Sequence, residues 1–164
     1  MDELVRAALA KWPNVPDVYG WLSLTARGEW LIRGEPISHG PMKAFIGRNY
    51  AATPDGCWFF QNGPQRVFVE LDATPYVARL DDRAADFVTH NGLAVPSVLD
   101  ALQDESGRIV LVTPLGPAIL LDRDLGAALE HPALRDRMAA GLPIVPNDEL
   151  ADRFGFQRSP QPKS

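Results

Sequence analysis

The chain has one cysteine, Cys57. That excludes an intramolecular disulfide, and there is no CxxC pair to hold a metal. Cys57 lies in the most aromatic stretch of the sequence, where a small buried thiol needs no chemical role. Histidine is also scarce: His39, His90 and His131 lie far apart, in no ligand spacing such as HExxH. A composite site of His39, His90 and Cys57 lacks the clustering that zinc sites show, so no metal and no cofactor is expected. Basic charge is short as well, with 16 Lys and Arg against 21 Asp and Glu and a net charge of −5. Nucleic acid usually demands a basic footprint, which makes it an unexpected partner.

Long apolar runs are missing, and none approaches the ~20 residues that span a membrane. Asp2, Glu3 and Arg6 interrupt the apolar residues at the start, so no signal peptide is expected and the location expected is cytoplasmic. Catalytic signatures are absent too. There is no G-x-S-x-G, no P-loop and no G-x-G-x-x-G, and Ser38 and His39 are sequence neighbours rather than parts of a triad. The acidic pairs Asp81/Asp82 and Asp122/Asp124 are explained by capping. The reading therefore leans away from an enzyme.

A hydrophobic fraction of 46% over 164 residues is enough for a substantial core. Fifteen prolines and thirteen glycines fall between apolar runs, which favours short strands over long helices. The expected fold is α+β and mainly antiparallel: about seven short strands in a strongly bent sheet or partly open barrel, with short flanking helices. Residues 1–150 are read as a single domain and 151–164 as a polar, disordered tail.

The organising stretch runs from Cys57 to Leu71. Trp58-Phe59-Phe60-Gln61 and Arg66-Val67-Phe68-Val69-Glu70-Leu71 read as two strands of a hairpin. Pro64 disfavours a tight Asn62-Gly63 turn, which predicts a loop of four or five residues. Alternation places Val67, Val69 and Leu71 on one face and Arg66, Phe68 and Glu70 on the other. Trp58 and Phe60 oppose Cys57 and Phe59, so the first strand is apolar on both faces and should be central or covered.

Elsewhere, Asp2–Trp12 reads as an amphipathic helix capped by Asp2. Tyr19–Leu24 and Glu29–Ile32 read as a hairpin in which Trp21 faces Trp30. Met42–Ile46 is a short helix with Pro41 near its start and Gly47 at its end, and Thr53-Pro54-Asp55-Gly56 is a β-turn. Tyr76–Leu80 is a strand, after which Asp81-Asp82 cap a helix or turn toward Phe87 and His90. Ser97–Leu102 is read as helical. Arg108–Thr113 and Ala118–Leu121 form a buried hairpin, followed by helices at 125–130 and 132–140. The shared pattern Leu80-Asp81-Asp82-Arg83 and Leu121-Asp122-Arg123-Asp124 is too short to establish a repeat.

Polar groups crowd the central hairpin. Arg48-Asn49-Tyr50 precede it, and Gln61, Asn62 and Arg66 surround its tip. With Trp58, Phe60 and His39 they make the candidate binding set, because arginine and amides beside aromatics suit interfaces and stacked ligands.

Three stretches carry a resemblance: Trp12-Pro13-Asn14-Val15-Pro16 with Tyr19-Gly20-Trp21-Leu22, then Phe45-Ile46-Gly47-Arg48-Asn49-Tyr50, then Gly56 through Val69. Over about residues 12–121 the chain resembles a family of small proteobacterial proteins catalogued only as a domain of unknown function. The resemblance implies a bacterial source and brings no catalytic residue or ligand with it. The function expected is a non-enzymatic module that binds a protein partner or itself through an aromatic sheet surface. The alternatives are a small-molecule binder or small enzyme with a pocket lined by Trp58, Phe60, His39 and Arg48, and a single-stranded nucleic-acid binder.

Overall fold

The computed structural model describes residues 1–83 and 85–163. They form a mixed α+β protein with two mostly antiparallel sheets, of six and five strands, and five short α-helices. The described residues thus hold eleven strands where about seven were expected, because short segments not read as strands, among them 86–89 and 100–103, pair into the sheets. The chain divides into two compact units, residues 1–25, 29–72 and 155–163 in one and 26–28 and 73–154 in the other.

In the first unit the strands are β1 (Val18–Leu24), β2 (Trp30–Ile32), β3 (Glu35–Pro36), β4 (Tyr50–Ala52), β5 (Trp58–Asn62) and β6 (Gln65–Leu71), in the sheet order β3-β2-β1-β6-β5-β4. Only β1 and β6 run parallel. The central hairpin pairs Phe59 with Phe68 and Phe60 with Val67, so the two faces alternate as the sequence pattern requires. Its loop is shorter than expected: Asn62 pairs with Gln65 across Gly63-Pro64 alone. Gly63 takes φ +57°, a left-handed value that opens a two-residue hairpin turn without placing a side chain in strain.

Helix α1 (Glu3–Lys11) follows Asp2, and α2 (Gly40–Arg48) follows His39. In α1 only Val5 is buried, while Leu4 and Trp12 are exposed, so the apolar stripe is narrower than the spacing suggests. Asp2 stands at the N-cap position but makes no side-chain cap bond. Pro41 sits in the first turn of α2, as proline's fixed φ favours. The helix continues through Gly47, which is buried, and ends where the Asn49 side chain donates from Nδ2 back to the Phe45 carbonyl at 2.9 Å. Phe45 meets Phe60 edge-on with centroids 5.5 Å apart, which seats α2 on β5.

The second unit contains β7 (Tyr76–Asp81), β8 (Asp86–Thr89), β9 (Asp100–Gln103), β10 (Ile109–Thr113) and β11 (Gly116–Leu120), in the order β8-β7-β11-β10-β9. This repeats the plan β2-β1-β6-β5-β4: an opening hairpin, then a return hairpin whose last strand lies parallel beside the first. The repeat is one of topology and leaves little trace in the sequence. Two expectations change here. Beyond Asp81-Asp82 the chain returns as a strand, Asp81 opposite Asp86, and position 84 lies outside the described residues. Residues 100–103, read as helix, form β9, because Ala101 and Leu102 find buried places beside β10. Helices α3 (Leu125–Leu129), α4 (Pro132–Ala140) and α5 (Leu150–Phe154) complete this unit.

Residues from 151 onward, expected as a disordered polar tail, include most of α5 and then a segment laid on the first unit. Phe156 is buried, the Gln157 amide donates to the Gly56 carbonyl at 2.9 Å, and the Leu71 amide donates to the Arg158 carbonyl at 2.7 Å. The Arg158 guanidinium donates to the carbonyls of Leu71 and Asp72. Buried phenylalanine and four chain-to-chain bonds outweigh the local polar composition.

Candidate functional site

An apolar cavity of about 570 Å³ opens between α2 and the first sheet. Val18, Trp21 and Leu22 of β1 line it, with Ile32 of β2, Phe60 and Asn62 of β5, and Gln65 and Val67 of β6. Met42, Phe45 and Ile46 of α2 form its other wall. Trp21 and Leu22 are consecutive and both line the cavity, which regular alternation forbids. A bulge permits it: Val18 pairs with Val67 and Leu22 with Val69, so four steps of β1 oppose two of β6. Trp21 is 45% exposed and Met42 45%, so the cavity has an open, apolar mouth.

The polar lining is confined to two amides at the hairpin tip. Gln65 donates from Nε2 to the Pro16 carbonyl at 3.3 Å, and Asn62 is exposed. Among the described residues no ionisable side chain lines the cavity. Its volume falls within the range of small-molecule pockets, and its few polar groups at one end suit a ligand with an apolar body and one polar end.

The residues expected to bind are distributed over several environments. Phe60 and Asn62 line the cavity. Arg48 is occupied at the surface by the Asp2 carboxylate, with N–O distances of 3.2–3.3 Å, and that guanidinium holds the Asp2 carboxyl below the usual range. Asn49 is buried and accepts the Asp2 backbone N–H at 2.7 Å, so Arg48 and Asn49 together anchor the start of α1. Gln61 is buried and donates to the Gly63 carbonyl at 3.0 Å, supporting the hairpin turn, while its Oε1 has no partner among the described residues. Trp58 is half-buried against Tyr50, with centroids 4.8 Å apart, and His39 is exposed before α2. Arg66 lies on the opposite sheet face, its guanidinium 4.0 Å above the Phe59 ring.

That opposite face carries a second, more polar pocket of about 560 Å³, where Asp17, Tyr19, Cys57, Arg66 and Phe68 meet Gln161, Pro162 and Lys163. Cys57 is half-buried there rather than sealed in the core. The Tyr19 ring stacks on Phe68 at 4.7 Å, and burial, then the Asp17 carboxylate, push its phenol above the ordinary value. Asp55 is held below its ordinary value by the Thr53 hydroxyl and by Lys163. Among the described residues no group of three or more His, Cys, Asp or Glu is placed to hold a metal ion. No helix of the described residues is long and apolar enough to cross a membrane.

Most of the cavity wall escaped sequence reasoning. Met42, Phe45 and Ile46 have the i, i+3, i+4 spacing of one helix face, which was legible, but an apolar helix face ordinarily means core. The exposed Trp21 carried the other signal, in Tyr19-Gly20-Trp21, and its meaning depends on the bulge.

Fold and cavity together define an α+β protein of two sheet units, one with an apolar pocket between a helix and its sheet. The chain belongs to the DUF2944 family, described as "Protein of unknown function (DUF2946)", which matches residues 1–161. A DUF1285 family protein from Silicibacter pomeroyi DSS-3, solved at 2.50 Å, has a similar fold: TM-score 0.54, 16% identity, covering 79% of this chain and 84% of that one. No curated protein matches the chain.

Proposed function

We propose that this protein is a binding protein for a small amphipathic molecule, with the molecule's apolar part seated between α2 and the first sheet. The observation that carries the reading is the half-open cavity of about 570 Å³, lined by nine apolar side chains and two amides. Buried apolar area drives such binding, and the amides orient the polar end. The reading as a protein-interaction module through the aromatic sheet draws less support, since Phe59, Phe60 and Phe68 are each under 10% exposed.

Titration calorimetry with decanol, a neutral probe, tests the reading. Saturable single-site binding is expected. Val67→Trp, which directs a large ring into the cavity from β6, should weaken it by about tenfold or more, the order of a few lost apolar contacts. Thermal melting of Val67→Trp checks that the chain still folds. Failure of decanol to bind, or equal binding to a folded Val67→Trp protein, overturns the reading.

A further inference from the structure

Arg33 is placed where its backbone type is disfavoured. It and Gly34 form the two-residue turn between β2 and β3, with Ile32 paired to Glu35 across it. Both take left-handed values, φ +49° at Arg33 and +80° at Gly34, as a type I′ turn requires. Asparagine, aspartate or glycine ordinarily fills the first position, and arginine there is strained.

What arginine brings is its side chain. The Arg33 amide donates to the Trp21 carbonyl at 2.8 Å, and the guanidinium lies 3.9 Å from the centre of the Trp21 ring. Trp21 lines the cavity, and so does Ile32, the residue before Arg33. The cation therefore stacks on a side chain of the cavity wall without itself lining the cavity, and the indole strips water from one of its faces. Arg33 makes no ion pair among the described residues, as is true of Arg66 and Arg79, and what sets it apart is its stacking on a residue of the cavity wall. The cavity lining itself has no charge to meet this one.

We infer that the cavity takes amphiphiles with an anionic head, a medium-chain carboxylate being the fitting class, and that Arg33 receives the carboxylate. This rests on the ligand-binding reading and adds the head group to it. A guanidinium presents paired N–H donors in the geometry of a carboxylate, and one unpaired arginine matches a single negative charge. Stacking on Trp21 holds the fork in place before the ligand arrives.

The experiment is calorimetric titration of the full chain with decanoate and with decanol, for the natural protein, Arg33→Asn and Arg33→Lys. Asparagine suits the left-handed turn better than arginine, so Arg33→Asn should melt at the same temperature or higher. Decanoate should bind the natural protein about tenfold more tightly than decanol, the scale of a hydrogen bond to a charged group. Arg33→Asn should abolish that difference while leaving decanol unchanged, and Arg33→Lys should retain part of it. The inference is overturned if decanol binds as tightly as decanoate, or if Arg33→Asn weakens both alike. If neither probe binds, the ligand-binding reading itself fails, and the head-group assignment with it.

Discussion

A β-carbon placed on Gly56 would lie 2.1 Å from the carbonyl oxygen of Gly155. The two backbones touch because Gly56 closes the Thr53–Gly56 turn at φ +84° and then accepts the Gln157 amide. Glycine is required twice here, for the left-handed backbone and for the contact. Gly56→Ala should cost roughly 2–4 kcal/mol, combining the positive-φ penalty with overpacking. Hydrogen exchange should localise the damage to the amides around Gln157 and Leu71. An unchanged melting temperature would show that residues 155–158 do not depend on this contact.

Two aromatic residues of the central hairpin differ in burial. Phe68 is 6% exposed and stacks on Tyr19, whereas Trp58 is half-buried. Phe68→Ala should therefore destabilise by ~3–5 kcal/mol and Trp58→Ala by less, since the cost of truncation follows the burial and the cavity left behind. Denaturant titrations of both variants give the comparison. Equal losses would mean that Trp58 is as fully packed as Phe68.

His90 sets an acid limit on stability. Its Nδ1 accepts the Val77 N–H at 3.2 Å, and burial pushes its pKa down to about 3 from the ordinary 6.5. The folded protein thus keeps this imidazole neutral while the unfolded chain protonates it. Between pH 6.5 and about 3 the unfolded state binds more protons, so stability falls as pH falls, by up to ~1.4 kcal/mol per pH unit. His90→Asn, whose amide oxygen can accept the same N–H, should flatten that slope. Asp104, which burial would raise but Arg108 and Ser106 hold below its ordinary value of 3.8, stabilises the fold above that pH and adds to the slope only as pH falls below it. Identical slopes in the two proteins would remove His90 from the account.

Cys57 should label with a thiol reagent more slowly in the native protein than in the unfolded chain, yet at a measurable rate. Gln161, Pro162 and Lys163 line its pocket, and Lys163 is tied to Asp55 only by an exposed ion pair of 3.4 Å. Such pairs hold little, so the cover should be loose. Removing residues 160–164 should speed native labelling severalfold. An unchanged rate would mean that the sheet side chains alone shield the thiol.

The sequence by itself determined the local elements. Alternation in Trp58–Phe60 and Arg66–Leu71 placed every side chain of the central hairpin on its observed face, and Pro41, Thr53-Pro54-Asp55-Gly56 and Pro132 marked observed helix starts and a turn. These follow from backbone geometry within a few residues, which is why they were readable. The pairing of Trp21 with Trp30 was not: the register sets Leu24 opposite Trp30, and Trp21 meets Arg33 instead. That outcome follows from the unbroken β1–β2 register, with Leu22 opposite Ile32 and Leu24 opposite Trp30, which brings Arg33 opposite Trp21. The tertiary structure alone decided the parallel β1–β6 and β7–β11 pairings, the conversion of residues 100–103 to a strand, and the ordering of residues 155–158. It also decided the cavity, whose walls come from α2 and four strands. Each depends on apolar burial and hydrogen bonds between residues distant in sequence, which propensity and alternation within a short window do not encode.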